Sequence, residues 1–275
     1  MEYNTLKVEI ADYVAVVTLN RPPVNAQNAE NRAEITELFD LLSDMDEVRV
    51  IVLTGSGKVF SAGADIRERP NLAGKPGAYG RHNRLVRESY YAVAECSKPI
   101  IAAINGPAMG AGFGLIMASD IWVASKESYV SMPEINVGLA GGMTFVRKYF
   151  SQSTARRMFF TGMKVSGDEL YRLGLVEASL PPDQLMPYCM ELAHEIAGKS
   201  PTALRLAKEA ARMTEVMPVR DAYRYEQGNT VALSKTEDTR EAQLAFLEKR
   251  KPNFVGRKRP CDTCDKLEVL DLRGL

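Results

Sequence analysis

The sequence predicts an α/β fold, and three observations support that class. Apolar runs suited to buried strands occur at 98–104 and 121–124, and stretches of helical period alternate with them. A β-branched, alternating run at 13–19 predicts a further strand. From residue 200 onward, helical periods replace this pattern. Strands that alternate with helices predict largely parallel pairing, and the helical end predicts a distinct C-terminal region.

The first elements are expected to be a hairpin, a helix and a strand. The alternating run and a turn at 11–12 together predict two antiparallel strands within 8–20. The apolar run 48–53 ends in a Thr-Gly-Ser-Gly turn, as a strand does. Between the hairpin and this strand, apolar residues recur at positions i, i+3, i+4 and i+7, which predicts an amphipathic helix. These residues are Ile35, Leu38, Phe39 and Leu42.

The middle of the chain is expected to contain a mobile segment and a Gly-rich turn. Residues 66–90 are charged and contain Pro and Gly, so we expect a mobile stretch before a helix that ends near Cys96. The strand at 98–104 leads into the Gly-rich segment 105–114, and a buried helix is expected at 115–119.

The C-terminal region is expected to be helical. Asp238 followed by Glu241 fits a capping box, and Pro252 is expected to stop the last helix. The predicted helices span 204–213, 219–233 and 238–250.

Composition and charge exclude several classes of function. The 275 residues include 35 Lys and Arg against 35 Asp and Glu, so no overall field attracts nucleic acid or an anionic membrane. We find no N-terminal signal pattern and no apolar run near the roughly 18 residues that a membrane span needs. Cys96 and Cys189 lie in apolar surroundings and are expected to be buried thiols, which favours a reducing, cytoplasmic location.

Three segments carry residues suited to chemistry, and each places small residues beside the end of a strand. Small residues allow a backbone to approach a ligand closely. The segments are 60–66 (FSAGADI), 105–114 (NGPAMGAGFG) and 132–142 (MPEINVGLAGG).

The Gly-rich segment leaves two interpretations open. It is not a P-loop, because no Gly-Lys-Ser/Thr follows, and it is not a dinucleotide fingerprint, because Leu115 stands where the third Gly is needed. What remains is a strand, a turn and a helix start whose unpaired N–H groups favour an anion. The alternative is tight packing of a helix on the sheet through small residues.

Glu134 also has two interpretations. Ser131 and Glu134, with Pro133 between them, fit a capping box at the start of a short helix. Acid–base chemistry would instead need this carboxylate in an apolar pocket that raises its pKa. Neighbouring side chains could form such walls, namely Val130, Met132, Ile135, Val137 and Leu139.

In this order and spacing, the three segments resemble those of the enoyl-CoA hydratase/isomerase (crotonase) superfamily. The resemblance runs from about Leu6 to Phe254 and includes shorter motifs. These are 20–22 (NRP), 52–55 (VLTG), 98–106 (KPIIAAING), 118–120 (ASD), 161–162 (TG), 174–176 (GLV) and 246–254 (FLEKRKPNF).

The resemblance implies a spiral of ββα units with a C-terminal helical region, assembled as a trimer or a dimer of trimers. It implies an acyl-CoA thioester as substrate and no separate cofactor. The expected domains are the spiral core at 1–198, a helical region for trimerisation and the active site at 199–254, and a poorly ordered tail at 255–275.

The resemblance also assigns roles to individual residues. The backbone N–H groups of Ala64 and Ala111 would form an oxyanion hole for a thioester enolate, where one donor is worth roughly 3 kcal/mol. Glu134 would move the proton. Substrate contacts are expected from Ala62, Asp65, Ile66, Gly110, Gly112, Gly114, Gly142 and, on the final helix, Lys249.

Position 114 departs from the hydratase pattern. Similar hydratases hold water between two glutamates; Glu134 matches one, and Gly114 stands at the other. A lone carboxylate can still move a proton between two carbons, which is isomerisation. We predict hydration of a 2-enoyl-CoA, with isomerisation and hydratase-lyase chemistry on an aromatic or bulky acyl group as alternatives. The non-enzyme alternative is an inactive CoA-binding homologue.

Other groups could hold the water that a second glutamate would hold. His82, Tyr90 and Tyr91 fall in the stretch that lines the site in similar proteins, and Tyr225 falls near a tyrosine used by hydroxycinnamoyl-CoA hydratase-lyases. Gly114 and Gly142 together predict a roomier pocket for a bulky acyl group.

A zinc module is the remaining alternative, and it depends on Cys261 and Cys264. Structural zinc takes four ligands, and no second Cys or His pair lies nearby in the sequence. No metal is therefore predicted.

Overall fold

A computed structural model of the chain describes residues 2–256, apart from the side chain of residue 71. Of the tail expected at 255–275, the part from residue 257 onward, including Cys261 and Cys264, lies outside the described residues. The chain divides into two compact units, of which the first is Met1–Gly198 and the second begins at Lys199.

The first unit is built from short strands and helices that alternate along the chain. Its strands are β1 (Leu6–Ala11), β2 (Val14–Leu19), β3 (Val50–Gly55), β4 (Ile100–Ile104), β5 (Ala108–Met109), β6 (Ile121–Ser125), β7 (Tyr129–Ser131), β8 (Val165–Ser166) and β9 (Ser179–Leu180). Its α-helices are α1 (Ala29–Asp44), α2 (Ala78–Glu95), α3 (Ala111–Met117), α4 (Met143–Tyr149), α5 (Gln152–Thr161), α6 (Gly167–Arg172) and α7 (Pro182–Ala197), and 3-10 helices span Ile66–Asn71 and Pro133–Val137.

A six-stranded sheet has the strand order β1-β2-β3-β4-β6-β9. β1 and β2 pair antiparallel, and every later pair in this sheet is parallel. The predicted N-terminal hairpin and largely parallel sheet are therefore confirmed. Parallel pairing brings the carboxyl ends of β3 and β4 to the same edge of the sheet, and the segments after them begin there.

The core lies on both faces of this sheet because successive side chains of a strand point to opposite faces. All six residues of β3 are buried. Ile51 and Leu53 pack in one apolar cluster with residues of α1, and Val50 and Val52 pack in another with residues of α7. Cys96 and Cys189 are free and buried, as the sequence predicted.

A smaller sheet, in the order β5-β7-β8, holds the Gly-rich segment in place. β5 pairs parallel with β7, whose last residue precedes the Glu134 segment by one position. An isolated bridge between Ser61 and Ala108 attaches the 60–66 segment to β5. The three segments singled out from the sequence therefore come together at this small sheet.

Several predicted boundaries are wrong, for physical reasons that the structure makes clear. α2 already begins at Ala78, so much of the stretch expected to be mobile is helix, and its buried face includes Ala92 and Val93. α3 begins at Ala111, inside the Gly-rich segment rather than at 115, and all its residues are buried. Tertiary packing can overcome the low helix propensity of glycine.

The second unit contains α8 (Pro201–Thr214), α9 (Val219–Leu233) and α10 (Glu237–Leu247). The predicted Asp238–Glu241 capping box is wrong, because Thr236 caps α10 by accepting a hydrogen bond from the N–H of Thr239. The buried Asp238 instead accepts from the Ser200 hydroxyl at 2.8 Å.

No helix within residues 2–256 is both long and apolar enough to cross a membrane.

Candidate active site

Two backbone segments cross at close range beside the small sheet. The N–H of Met109 donates to the carbonyl oxygen of Ser61 at 2.9 Å. A Cβ at Gly63, where φ is +87°, would lie 2.5 Å from the carbonyl oxygen of Met109, and one at Gly112 would lie 2.5 Å from that of Ser61. Only glycine allows this approach, so the sequence pattern of small residues serves to bring the two backbones together.

The crossing leaves two neighbouring N–H groups without acceptors. The backbone N–H of Gln27 donates to the carbonyl oxygen of Gly63, and the backbone carbonyl oxygen of Gln27 accepts from the N–H of Asp65. Because these two hydrogen bonds lie on one side of the segment, the N–H of Ala64 points to the other side. Ala111 opens α3, so its N–H has no partner within the helix. In the part of the chain that the structure describes, neither N–H donates a hydrogen bond. Two adjacent main-chain donors of this kind can stabilise an oxyanion.

Glu134 lies against the same crossing. Its Oε1 occupies the position that a Cβ at Gly110, where φ is +50°, would need. Its Oε2 is buried and has no hydrogen-bond partner among the described residues. The capping-box interpretation is wrong, because the residue before this 3-10 helix is Met132 and no side chain caps the helix.

Burial raises the pKa of Glu134, against smaller lowering contributions from a backbone hydrogen bond and from Arg69. A carboxylate that is partly shielded from water in an apolar wall is a stronger base than a solvated one, because water stabilises its charge less. Glu134 therefore has the environment that proton transfer near neutral pH requires.

A cavity of about 610 Å³ opens in front of these groups. Its wall includes Ala64, Ala111 and Glu134, together with mainly apolar side chains and a few polar ones. Concave, mostly apolar sites with a few convergent polar groups are typical of small-molecule binding.

Comparison with known proteins places this geometry in a family. The family model described as Enoyl-CoA hydratase/isomerase matches residues 9–257. A short-chain-enoyl-CoA hydratase of Clostridium acetobutylicum is 33% identical over 256 residues, covering 91% of this chain and 97% of the relative. A carnitinyl-CoA dehydratase of Escherichia coli K12 is 33% identical over 254 residues, covering 88% of this chain and 94% of the relative.

Solved structures agree with the sequence relatives. A crystal structure of enoyl-CoA hydratase subunit I from Geobacillus kaustophilus is 34% identical, with a TM-score of 0.85, and covers 94% of this chain and all of that one. The enoyl-CoA hydratase from Bacillus anthracis is 31% identical, with a TM-score of 0.86, and covers 92% of this chain and all of that one. The chain belongs to the enoyl-CoA hydratase/isomerase family. The predicted crotonase-like α/β fold is confirmed.

In this chain, another residue occupies the space beside Gly114. A Cβ at Gly114 would lie 2.6 to 2.8 Å from the ring and hydroxyl of Tyr90. Tyr90 is held edge-on by Phe145, with ring centroids 6.2 Å apart. The pKa of Tyr90 is raised by burial and by the charge of Glu134, while Arg32 opposes that effect. The phenol of Tyr90 therefore fills the space beside Gly114 into which a side chain at that position would project.

The expected roominess at Gly114 and Gly142 is wrong for the same reason. Tyr90 fills the space at Gly114, and a Cβ at Gly142 would lie 2.7 Å from the Cε of Met132. The long side chains of Tyr90 and Met132 occupy the volume beside the two glycines, so the glycines do not by themselves widen the cavity.

The structure brings together most of the expected substrate contacts but not all. Asp65 and Gly112 do not form part of the cavity wall. Lys249 belongs to the second unit and is not on the final helix: it lies two residues beyond Leu247 with φ +55°. The expected substrate contacts that do line the cavity are Ala62, Ile66, Gly110, Gly114 and Gly142.

The side chain of Asp65 forms ion pairs with two arginines instead. It is 5% exposed and accepts hydrogen bonds from Arg21 at 2.8 Å and from Arg67 at 2.7 Å. Hydrogen bonds from Arg67 and Arg21 lower its pKa against the effect of burial. This ion pair fixes the turn that carries the N–H of Ala64.

The other candidate polar residues are divided between the units. His82 and Tyr91 line the cavity. Burial, and then the charges of Arg32 and Arg69, lower the pKa of His82. Tyr225 belongs to the second unit, where its hydroxyl donates to Glu209 at 2.9 Å.

Sequence reasoning missed three arginines that line the cavity, namely Arg32, Arg69 and Arg87. A signal existed for Arg32, which precedes Ile35 by three positions and so falls on the apolar face of α1. A charge in an apolar stripe is unusual and indicates a buried role. Within residues 2–256, no group of three His, Cys, Asp or Glu side chains is placed to hold a metal ion.

Proposed function

We propose that this chain hydrates a 2-enoyl-CoA, with Glu134 as the base and the N–H groups of Ala64 and Ala111 as the oxyanion hole. The observation that supports this most is the position of Glu134. Its carboxylate, of which Oε2 has no hydrogen-bond partner among the described residues, lies against Gly110, directly before one of the two free N–H groups. A base and an anion site that share one wall are what enolate chemistry needs.

The proposed reaction balances with this set of groups. As the oxygen of water bonds to C3, Glu134 takes a proton from that water, and the electron pair of the double bond moves toward the thioester. Negative charge on the thioester oxygen is stabilised by the two N–H groups. When the enolate collapses, C2 takes the proton from Glu134, which leaves HO on C3, H on C2 and a regenerated carboxylate.

Tyr90 supports hydration more than isomerisation. Its hydroxyl lies at Gly114, in electrostatic range of Glu134. A neutral phenol can donate one hydrogen bond and accept another, so it can orient the attacking water while Glu134 removes the proton. The reaction needs no cofactor beyond the CoA that is part of the substrate.

Isomerisation is the second candidate, because Glu134 is the one carboxylate that lines the cavity among the described residues. In that reaction, Glu134 removes a proton from one carbon of the acyl chain and returns it to another through the same enolate. The oxyanion hole would act identically.

The test is incubation of 2-enoyl-CoA and 3-enoyl-CoA thioesters in heavy-oxygen water, analysed by mass spectrometry. Hydration predicts one labelled oxygen in the product, and isomerisation predicts an unlabelled, shifted double bond. Glu134→Gln keeps the size of the side chain but removes the base, and we expect it to lower kcat by about 10²- to 10⁴-fold. Equal rates for the two proteins would contradict the proposal and favour a non-catalytic CoA-binding protein.

A further inference from the structure

The most unusual charge in the first unit is the guanidinium of Arg32. Arg32 is completely buried and lines the cavity. Its Nε, Nη1 and Nη2 have no hydrogen-bond partner among the described residues. A guanidinium carries five donors, so its whole hydrogen-bonding capacity is unused.

The neighbouring residues compensate this charge only weakly. The closest carboxylate is that of Glu68, at 3.8 Å from Nη1, beyond hydrogen-bond distance. Glu68 also accepts a hydrogen bond from the N–H of Ala29 at 2.9 Å. Burial lowers the pKa of Arg32, yet arginine stays protonated in proteins, so the charge remains and needs an anion.

The surrounding wall is positive rather than balanced. Arg69 lines the same cavity, and its Nε is also buried without a hydrogen-bond partner among the described residues. Arg32 and Arg69 both lower the pKa of the neighbouring His82. Against these cations, the cavity wall contains one carboxylate, Glu134, within the described part of the chain.

We propose that Arg32, with Arg69, binds a carboxylate on the acyl group of the substrate, so that the chain acts on thioesters of dicarboxylic acids. This proposal rests on the proposed function, because it names the substrate class of that site. A carboxylate accepts two parallel hydrogen bonds from a guanidinium, and burial strengthens them. Because Arg32 has no solvent exposure, this binding requires a local rearrangement of the wall that covers it, and Arg69 supplies further donors.

The phosphates of CoA are the competing source of negative charge. Arg32 lies in the cavity wall with no solvent exposure. The phosphates of CoA are bulky and strongly hydrated, so a site of this kind suits them poorly. Arg32 also affects the pKa of Tyr90, whose hydroxyl is at Gly114. This location associates Arg32 with the reacting end of the substrate.

The experiment compares an enoyl thioester that ends in a carboxylate with its methyl ester, each carried on CoA and on phosphate-free pantetheine. With the wild type, we expect kcat/KM to be at least about 10-fold higher for the carboxylate on both carriers. Arg32→Met should lower kcat/KM for the carboxylate by about 100-fold, and by at least about 10-fold more than it lowers kcat/KM for the ester. Arg172→Met, an exposed arginine paired with Glu169, is the matched control and should change neither.

Several outcomes would overturn the proposal. One is equal wild-type rates for carboxylate and ester, and another is a loss in Arg32→Met that appears with CoA thioesters but not with pantetheine thioesters. If Arg32→Met does not fold, the wild-type preference and Arg32→Lys, which keeps the charge but loses the bidentate geometry, decide the matter.

Failure of the proposed reaction is distinguished by a binding measurement. Calorimetry with saturated thioesters, with and without the terminal carboxylate, reports on Arg32 without turnover. Tighter binding of the carboxylate form that is lost in Arg32→Met supports this inference even if no hydration or isomerisation is found. No difference in affinity overturns it, whatever the reaction.

Discussion

At the scale of single residues, the candidate site depends on the contact between Gly114 and Tyr90. Gly114 has no side chain, and the ring and hydroxyl of Tyr90 occupy the space beside it. A carboxylate in that space would repel the charge of Glu134, whereas a phenol with a raised pKa stays neutral. Tyr90 therefore places a neutral hydrogen-bonding group near Glu134, the proposed base.

Tyr90→Phe tests the role of the hydroxyl. The ring and its contact with Phe145 remain, so we expect kcat for hydration to fall by about 10- to 1000-fold with little change in KM, because orientation of the water is lost. Tyr171→Phe, at an exposed tyrosine, is the control. If the hydration rate were unchanged in Tyr90→Phe, the phenol would have only a packing role.

The raised pKa of Glu134 predicts opposite effects of pH on activity and on stability. Because the pKa is higher in the folded state than in the unfolded state, the folded state favours the protonated carboxyl. Its contribution to stability is therefore complete below the unfolded pKa and is lost as the pH rises through the folded pKa. Activity needs the ionised form and should fall over that same range as the pH is lowered.

Glu134→Gln separates these two effects. We expect a higher Tm than that of the wild type at pH 7, because a partly buried charge that its neighbours compensate only in part is removed, and a difference that shrinks toward pH 4. Thermal unfolding across this pH range and the pH profile of kcat/KM are the measurements. Glu177→Gln, at an exposed glutamate, should leave both unchanged; a lower Tm for Glu134→Gln at pH 7 would contradict the sign.

At the scale of elements, the proposed oxyanion hole depends on two crossing segments rather than on a single residue. The segment after β3 and the segment after β4 reach the same edge of the sheet because those strands are parallel. Gly63 and Gly112 then allow the backbones to approach until Ala111 N is 3.3 Å from the position of a Cβ at Gly63. The spacing of the two N–H groups depends on that contact.

Gly63→Ala should disrupt the crossing. Its new methyl group meets backbone at 2.5 Å and its φ is +87°, so we expect a loss of about 3 kcal/mol in the free energy of unfolding and of about 10²- to 10³-fold in kcat. Gly174 has a similar φ of +71°, and a Cβ there would meet nothing within 4 Å. Gly174→Ala therefore measures the backbone strain alone, which we expect to lower the free energy of unfolding by about 1 kcal/mol. Denaturant unfolding and steady-state kinetics measure both, and equal effects would refute the clash.

At the scale of the whole molecule, each compact unit has its own stabilising centre. In the first unit, alternate residues of β3 supply two apolar clusters, one on each face of the sheet. In the second unit, buried Asp238 connects distant parts of the chain by accepting from the Ser200 hydroxyl and from the N–H groups of Val255, at 3.1 Å, and Gly256.

Asp238→Ala should weaken the second unit. Loss of three hydrogen bonds from a buried acceptor is expected to lower the free energy of unfolding by about 2–3 kcal/mol. Asp221→Ala, at an exposed position in the first turn of α9, should cost about 0.5 kcal/mol and serves as the control. Hydrogen exchange measured by mass spectrometry should show lost protection in residues 199–256, and unchanged protection there would contradict the role of Asp238.

The sequence by itself determined the α/β class, the N-terminal hairpin, the span Val219–Leu233 of α9 and the three segments of the site, because periodicity and small-residue patterns are local. Only the tertiary structure decided that Tyr90 fills the space at Gly114, that Glu134 is not a capping residue and that Arg32 lines the cavity. These facts depend on side chains far apart in the chain that meet through packing, and no local pattern specifies such contacts.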